Sequence, residues 1–129
     1  MAEAQTPSAV ELVEGLVGAL AAVQAIATQP HVDGRSLQAA FLTAQQLFQQ
    51  QLLPTLAMTT TPDVLVTYQT EINRALRLLG IDVSFLQAAH NPTTRHQRQA
   101  QMRQRLDTLL DFSRGLQAAL TEADSTLQP

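Results

Sequence analysis

The run YQTEINRALRLLGIDVSFLQAA, Tyr68 to Ala89, decides the fold. Counting from Leu65 just before it, apolar or aromatic residues recur at Leu65, Tyr68, Ile72, Leu76, Leu79, Val83 and Leu86, at spacings of 3, 4, 4, 3, 4 and 3. That rhythm places them on one stripe of a helix. Leu78, Ile81 and Phe85 widen the stripe enough to meet more than one neighbour, while Glu71, Arg74 and Arg77 lie on its flank.

The same periodicity appears on both sides of this run. Upstream, Val10, Val13, Leu16, Val17, Leu20, Val23 and Ile26 predict a first helix over Pro7 to Thr28, capped by Thr6 with Pro7 in the first turn. PHVDG, Pro30 to Gly34, reads as a turn, and its His31 as a solvated side chain. A second helix is predicted from Leu37 to Leu53, capped by Ser36, with Phe41, Leu42, Leu47, Phe48, Leu52 and Leu53 on its apolar face. Pro54 is expected to stop or kink it. The link Met58 to Thr61 is polar.

Thr61 and Pro62 repeat the capped start, so the third helix is predicted from Pro62 to about His90. Gly80 falls inside it at a cost of roughly 1 kcal/mol against alanine, but the stripe keeps phase across the glycine. Asn91 and Pro92 make the next turn. The fourth helix, capped by Thr93 or Thr94, should continue to about Glu122, with Met102, Leu106, Leu109, Ser113, Leu116 and Leu120 inward. Arg103 with Asp107 and Asp111 with Arg114 have the spacing of surface ion pairs.

No strand-length alternation occurs anywhere in the 129 residues. The expectation is therefore an all-α chain. It has one domain over residues 7–124, with tails at 1–6 and 125–129, built as an antiparallel up-down four-helix bundle. The third and fourth helices, at about 28 residues each, would reach about 42 Å and overhang the shorter pair. Apolar surface left near the Asn91 turn or at the ends would suit a partner or a homodimer.

Composition narrows the chemistry. Cysteine is absent, which excludes disulfides, thiol catalysis and thiolate metal sites. The N-terminus has no basic residue ahead of its apolar run, so it does not read as a secretory signal. The most apolar run, Leu16 to Ala27, is too short to span a bilayer. A cytoplasmic protein is expected. No Glu has a His three residues later, no glycine-rich phosphate loop occurs, and no nucleophile elbow is present. No metal site, cofactor or catalytic residue is expected, and the chain does not read as an enzyme.

The net charge of −3 is unevenly placed. Residues 1–73 carry −5, residues 74–114 carry +4 and the remainder −2, and all eight basic residues are arginines. Two readings follow. The arginines either pair with the chain's own acidic half, which is the favoured reading, or they steer an acidic partner. Arg95, Arg98, Arg103 and Arg105 open the fourth helix, where phosphate could bind. The acidic balance and the lack of aromatics there argue against nucleic acid as the partner. Asp82, set between Ile81 and Val83, must find a donor if it is half-buried. A pair with an arginine of the fourth helix is favoured over a role in a binding surface.

LFQQQLLP (Leu47 to Pro54), TYQTEINRALRLLGIDVSFLQAA (Thr67 to Ala89) and RQRLDTLL (Arg103 to Leu110) together resemble the cyanobacterial heterocyst frequency control protein PatD family. The matching positions are Tyr68, Glu71, Ile72, Leu76, Arg77, Leu78, Leu79, Ile81, Asp82 and Phe85. Gly80 and Ser84 depart from the pattern. The resemblance covers about residues 40–115, and the first 35 residues match no family pattern. It implies a non-enzymatic regulator of cell division that modulates FtsZ assembly and limits heterocyst frequency. Glu71, Arg74, Arg77 and Asp82 are the polar residues grouped on the matched helix and so the expected partner-binding set. The alternatives are a helical adaptor for another cytosolic partner and, third, an arginine-mediated nucleic-acid binder.

Overall fold

The computed structural model describes residues 7–58 and 62–127, and side chains as far as Ala123. The chain is all-α, and no strand occurs among the described residues. Four helical arms run in order. The first is α1 (Ala9–Ala27); the second joins α2 (Gly34–Gln46), a π-helical turn (Leu47–Leu52) and α3 (Leu53–Ala57). The third is α4 (Asp63–Ala88) and the fourth is α5 (Pro92–Leu127).

Each arm packs on its neighbours in sequence, and α5 also packs on α1, which closes a ring. Printed contacts set the directions. Gln24 reaches Asp107 and Gln99 reaches Ala27, so α1 runs against α5. Asp82 meets Arg105 and Tyr68 lies against Gly115, so α4 also runs against α5. Helices α1 and α4 therefore point the same way, across the ring from each other. The core is continuous, with Leu16, Leu20, Phe48, Ile72, Met102 and Leu106 all fully buried. Removing one such side chain from water contributes about 1.5–3 kcal/mol.

Several helix ends differ from expectation. Thr6 and Thr61 lie outside the described residues. Helix α1 begins at Ala9 and is capped by Ser8, whose Oγ accepts from the Glu11 N–H at 3.2 Å. Helix α2 begins at Gly34, three residues early, because the Asp33 carboxylate accepts from the Arg35 N–H at 3.2 Å and from the Ser36 hydroxyl at 2.7 Å. Ser36 is thus a donor to the cap and not the cap itself. Those hydrogen bonds hold the Asp33 carboxyl below its ordinary value, the Ser36 hydroxyl contributing most. At α5 the Asn91 side-chain oxygen accepts from the Thr93 N–H at 2.8 Å, which leaves Thr93 and Thr94 inside the helix. Asn91 can do this because it precedes Pro92, which disfavours helical geometry there, and so it lies just outside the helix. Helix α5 continues to Leu127, past the expected end at Glu122.

Pro54 does not stop the second arm, which continues through it to Ala57. The π-helical turn precedes it, and the Leu53 N–H bonds five residues back to the Phe48 carbonyl. A π turn is wider than an α turn. It makes room for the ring, and it keeps Phe48, Leu52 and Leu56, each four apart, on the buried side. Leu42, expected inward, is instead half-exposed.

Helix α1 has 19 residues, more than the apolar run read from the sequence, and by length and composition it could cross a membrane. In this fold its Leu12, Val13, Leu16, Leu20 and Val23 are core residues.

Two glycines mark close helix contacts. A Cβ on Gly80 would lie 3.0 Å from the Phe41 ring of α2, and one on Gly115 only 2.6 Å from the Tyr68 ring. Gly80 is thus the seat of an aromatic ring, where the sequence showed only a cost.

Candidate functional site

The four polar residues expected to bind a partner all sit on α4 but not in one place. Glu71 and Arg74 line an open groove between α4 and α5 of about 500 Å³, with Leu78, Gln104, Arg105 and Phe112. Arg77 is exposed and lies outside the groove lining, further round the back of α4. Asp82 is only 4% exposed and is withdrawn from any partner. Its Oδ2 is 2.8 Å from Arg105 Nε. The structural pair expected as the favoured reading of Asp82 is what forms.

The arginine-rich half is not neutralised by the acidic half. Of the seven arginines between residues 74 and 114, only Arg105 lies within ion-pair distance of a carboxylate among the described residues. The expected Arg103–Asp107 and Asp111–Arg114 pairs do not close. Asp107 instead accepts from the Gln24 amide of α1 at 2.8 Å. An exposed i, i+4 ion pair gains too little to hold a long arginine side chain in one geometry.

At the start of α5 the arginines are largely occupied. Arg95 donates to the Ala89 carbonyl at 3.4 Å, Arg105 holds Asp82, and Arg98 lies over the Phe85 ring at 4.7 Å from its centroid. Of the four that suggested a phosphate site, only Arg103 is left without an internal contact of this kind among the described residues. Among the described residues no group of three or more His, Asp or Glu side chains converges.

What remains open on α4 is apolar. Ile81 is 48% exposed and Phe85 47%. With Arg74, Arg77 and Leu78 they form a continuous outer ridge, since 74, 77, 78, 81 and 85 recur at helical spacing. Arg98 covers part of the Phe85 face and fixes the ring. Comparison with protein-family models, curated proteins and solved structures gives no match. The reading of this site therefore rests on its geometry.

Sequence reasoning placed Ile81 and Phe85 in a widened core stripe. They lie instead at an exposed edge of α4, where Arg98 of α5 reaches only part of the Phe85 ring. Their i, i+4 spacing with Arg74 and Arg77 on the same side was the available signal. Met58, Val64 and Val66, near the α3–α4 end, are also exposed apolar side chains.

Proposed function

We propose that this chain is a non-enzymatic regulatory protein that works by holding another protein against the outer ridge of α4 and the adjoining α4–α5 groove. The observation that carries this reading is one juxtaposition: half-exposed Ile81 and Phe85 on the same helical face as Arg74 and Arg77, neither of which has an acidic partner among the described residues. Aromatic and arginine side chains around a centre that can be desolvated dominate protein interfaces. The ring of Phe85 is already oriented by Arg98, which lowers the entropy lost on binding.

The resemblance to the PatD family supplies a partner and a role. The partner is FtsZ, the role is modulation of its assembly in the cytosol during division, and it extends to heterocyst frequency where the host forms such cells. Glu71 and Arg74 contact the partner along the groove, Arg77 contacts it from the back of the ridge, and Asp82 supports the face by fixing Arg105. The adaptor reading uses the same face for a different cytosolic protein.

Co-sedimentation with FtsZ tests this. Arg74→Glu combined with Arg77→Glu is expected to abolish co-sedimentation while the helical circular dichroism is unchanged. A folded double variant that co-sediments like the parent removes this face from consideration. A parent protein that leaves FtsZ in the supernatant removes FtsZ and favours the adaptor, whose partner co-purification from the native host would identify.

A further inference from the structure

The outer ridge of α4 has a counterpart on the opposite side of the bundle. The exposed face of α1 carries Glu11, Glu14, Gly18, Ala22 and Ala25. Neither glutamate has an ion-pair partner among the described residues. Gly18 is unexplained within the chain, for a Cβ there would meet nothing within 4 Å. A glycine in a helix interior costs roughly 1 kcal/mol against alanine, and here no internal contact requires it.

The two faces share one register. Glu11, Glu14, Gly18 and Ala22 are spaced 3, 4 and 4, and so are Arg74, Arg77, Ile81 and Phe85. Laid side by side in parallel, Glu11 meets Arg74, and Glu14 and Arg77 flank the seam at one level, within reach of each other's long side chains. Gly18 and Ala22 then lie opposite Ile81 and Phe85. Small residues face large ones at every apolar step, and acids face arginines at both polar ones.

We propose that the α4 ridge docks the α1 face of a second copy of this chain. Charge complementarity names that occupant, and the smooth α1 face gives the ridge side chains room to lie flat. Because α1 and α4 are parallel and sit across the ring, the docked copy keeps the orientation of the first and presents its own free ridge. The contact is heterologous and does not close, so association proceeds head to tail into a linear assembly. Few residues meet on each side, so the contact is weak and sensitive to concentration and salt. Every copy but the terminal one then has its ridge covered, and a partner that uses Arg74 and Arg77 competes with growth. The inference goes beyond the partner reading and is tested on the purified chain alone, so its failure leaves the FtsZ assay untouched.

Sedimentation velocity over a concentration series tests it. The parent chain is expected to grow beyond a dimer as concentration rises, and to shrink as salt rises. Arg74→Glu with Arg77→Glu, and separately Glu11→Arg with Glu14→Arg, should each remain monomeric. An equimolar mixture of those two variants should associate again, because each reversed face meets a reversed face. Gly18→Leu, whose Cβ would meet nothing within 4 Å inside its own chain, should also remain monomeric with unchanged circular dichroism. A parent chain that stays monomeric throughout, a closed dimer, association that survives both reversals, or a mixture of the two that fails to associate would each overturn the proposal.

Discussion

Arg105 and Asp82 join α5 to α4 through a single contact, with Nε 2.8 Å from Oδ2. The two ends are unequally placed. The Asp82 side chain is 6% exposed and that of Arg105 is 26% exposed. Removing the arginine strands a buried carboxylate, whereas removing the carboxylate leaves an arginine that can turn to water. Arg105→Ala is therefore expected to destabilise the fold by about 2 kcal/mol and Asp82→Ala by about 1 kcal/mol. Urea unfolding of the two variants checks the order. Equal losses, or a greater loss for Asp82→Ala, would show that the pair is not asymmetric in this way.

Gly115→Ala should destabilise despite alanine's better helix propensity. The new methyl would fall 2.6 Å from Tyr68 Cε1 and 2.8 Å from Cζ, so the ring must move. Overpacking of this kind costs about 1–3 kcal/mol. Tyr68→Ala removes the obstacle. In that background Gly115→Ala should become neutral or favourable, and a double-mutant cycle reads the coupling. Gly115→Ala that stabilises the parent chain would contradict the contact.

The same substitution should have the opposite sign at Gly18. No atom lies within 4 Å of its Cβ position, so Gly18→Ala gains helix propensity at no steric cost. A gain of about 1 kcal/mol is expected in thermal or urea unfolding. Gly80→Ala falls between, because the Phe41 ring at 3.0 Å must give slightly. The ranking Gly18, Gly80, Gly115, from stabilising to destabilising, is the checkable outcome.

Asn91→Ala should fray the start of α5. Its side-chain oxygen accepts from the Thr93 N–H at 2.8 Å and the Thr94 N–H at 3.4 Å. Loss of such a cap costs about 1 kcal/mol. Amide hydrogen exchange should speed up at Thr93 and Thr94 while the middle of α5 is unaffected. Unchanged exchange there would mean that the cap is not used.

The Asp33 cap adds a pH dependence of known sign. Its carboxyl is held below the ordinary 3.8, first by the Ser36 hydroxyl. A folded-state value below the unfolded one contributes stability above the unfolded value, and that contribution is lost as pH falls through the folded one. Stability should therefore decline in acid below 3.8, and Asp33→Asn, still a good cap but uncharged, should flatten that part of the curve. An identical acid slope in the variant would exclude Asp33 as a contributor.

Much of the fold can be read along the chain. Leu65, Ile72, Leu76, Leu79, Val83 and Leu86 are all buried, as their spacing requires. Met102, Leu106, Leu109, Leu116 and Leu120 are buried likewise. Ser113, at 0% exposure in the same stripe, returns its hydroxyl to the Leu109 carbonyl at 2.8 Å, so a polar residue sits in the core without an orphaned donor. The candidate site was less legible. Glu71 and Arg74 line the groove, but Asp82 lies inside the fold, and Ile81 and Phe85 carry the open surface.

The sequence by itself determined that the chain is helical, where each arm runs, and which stripe of each arm turns inward. Those properties are local, because the α-helical repeat converts spacing into direction within a few residues. Only the tertiary structure decided that Arg105 reaches Asp82, that Gln24 takes Asp107 from Arg103, and that Gly80 and Gly115 seat aromatic rings. It also decided which edge of the α4 stripe is left uncovered. Each of these depends on the distance between side chains far apart in sequence, which helix packing sets and periodicity does not encode.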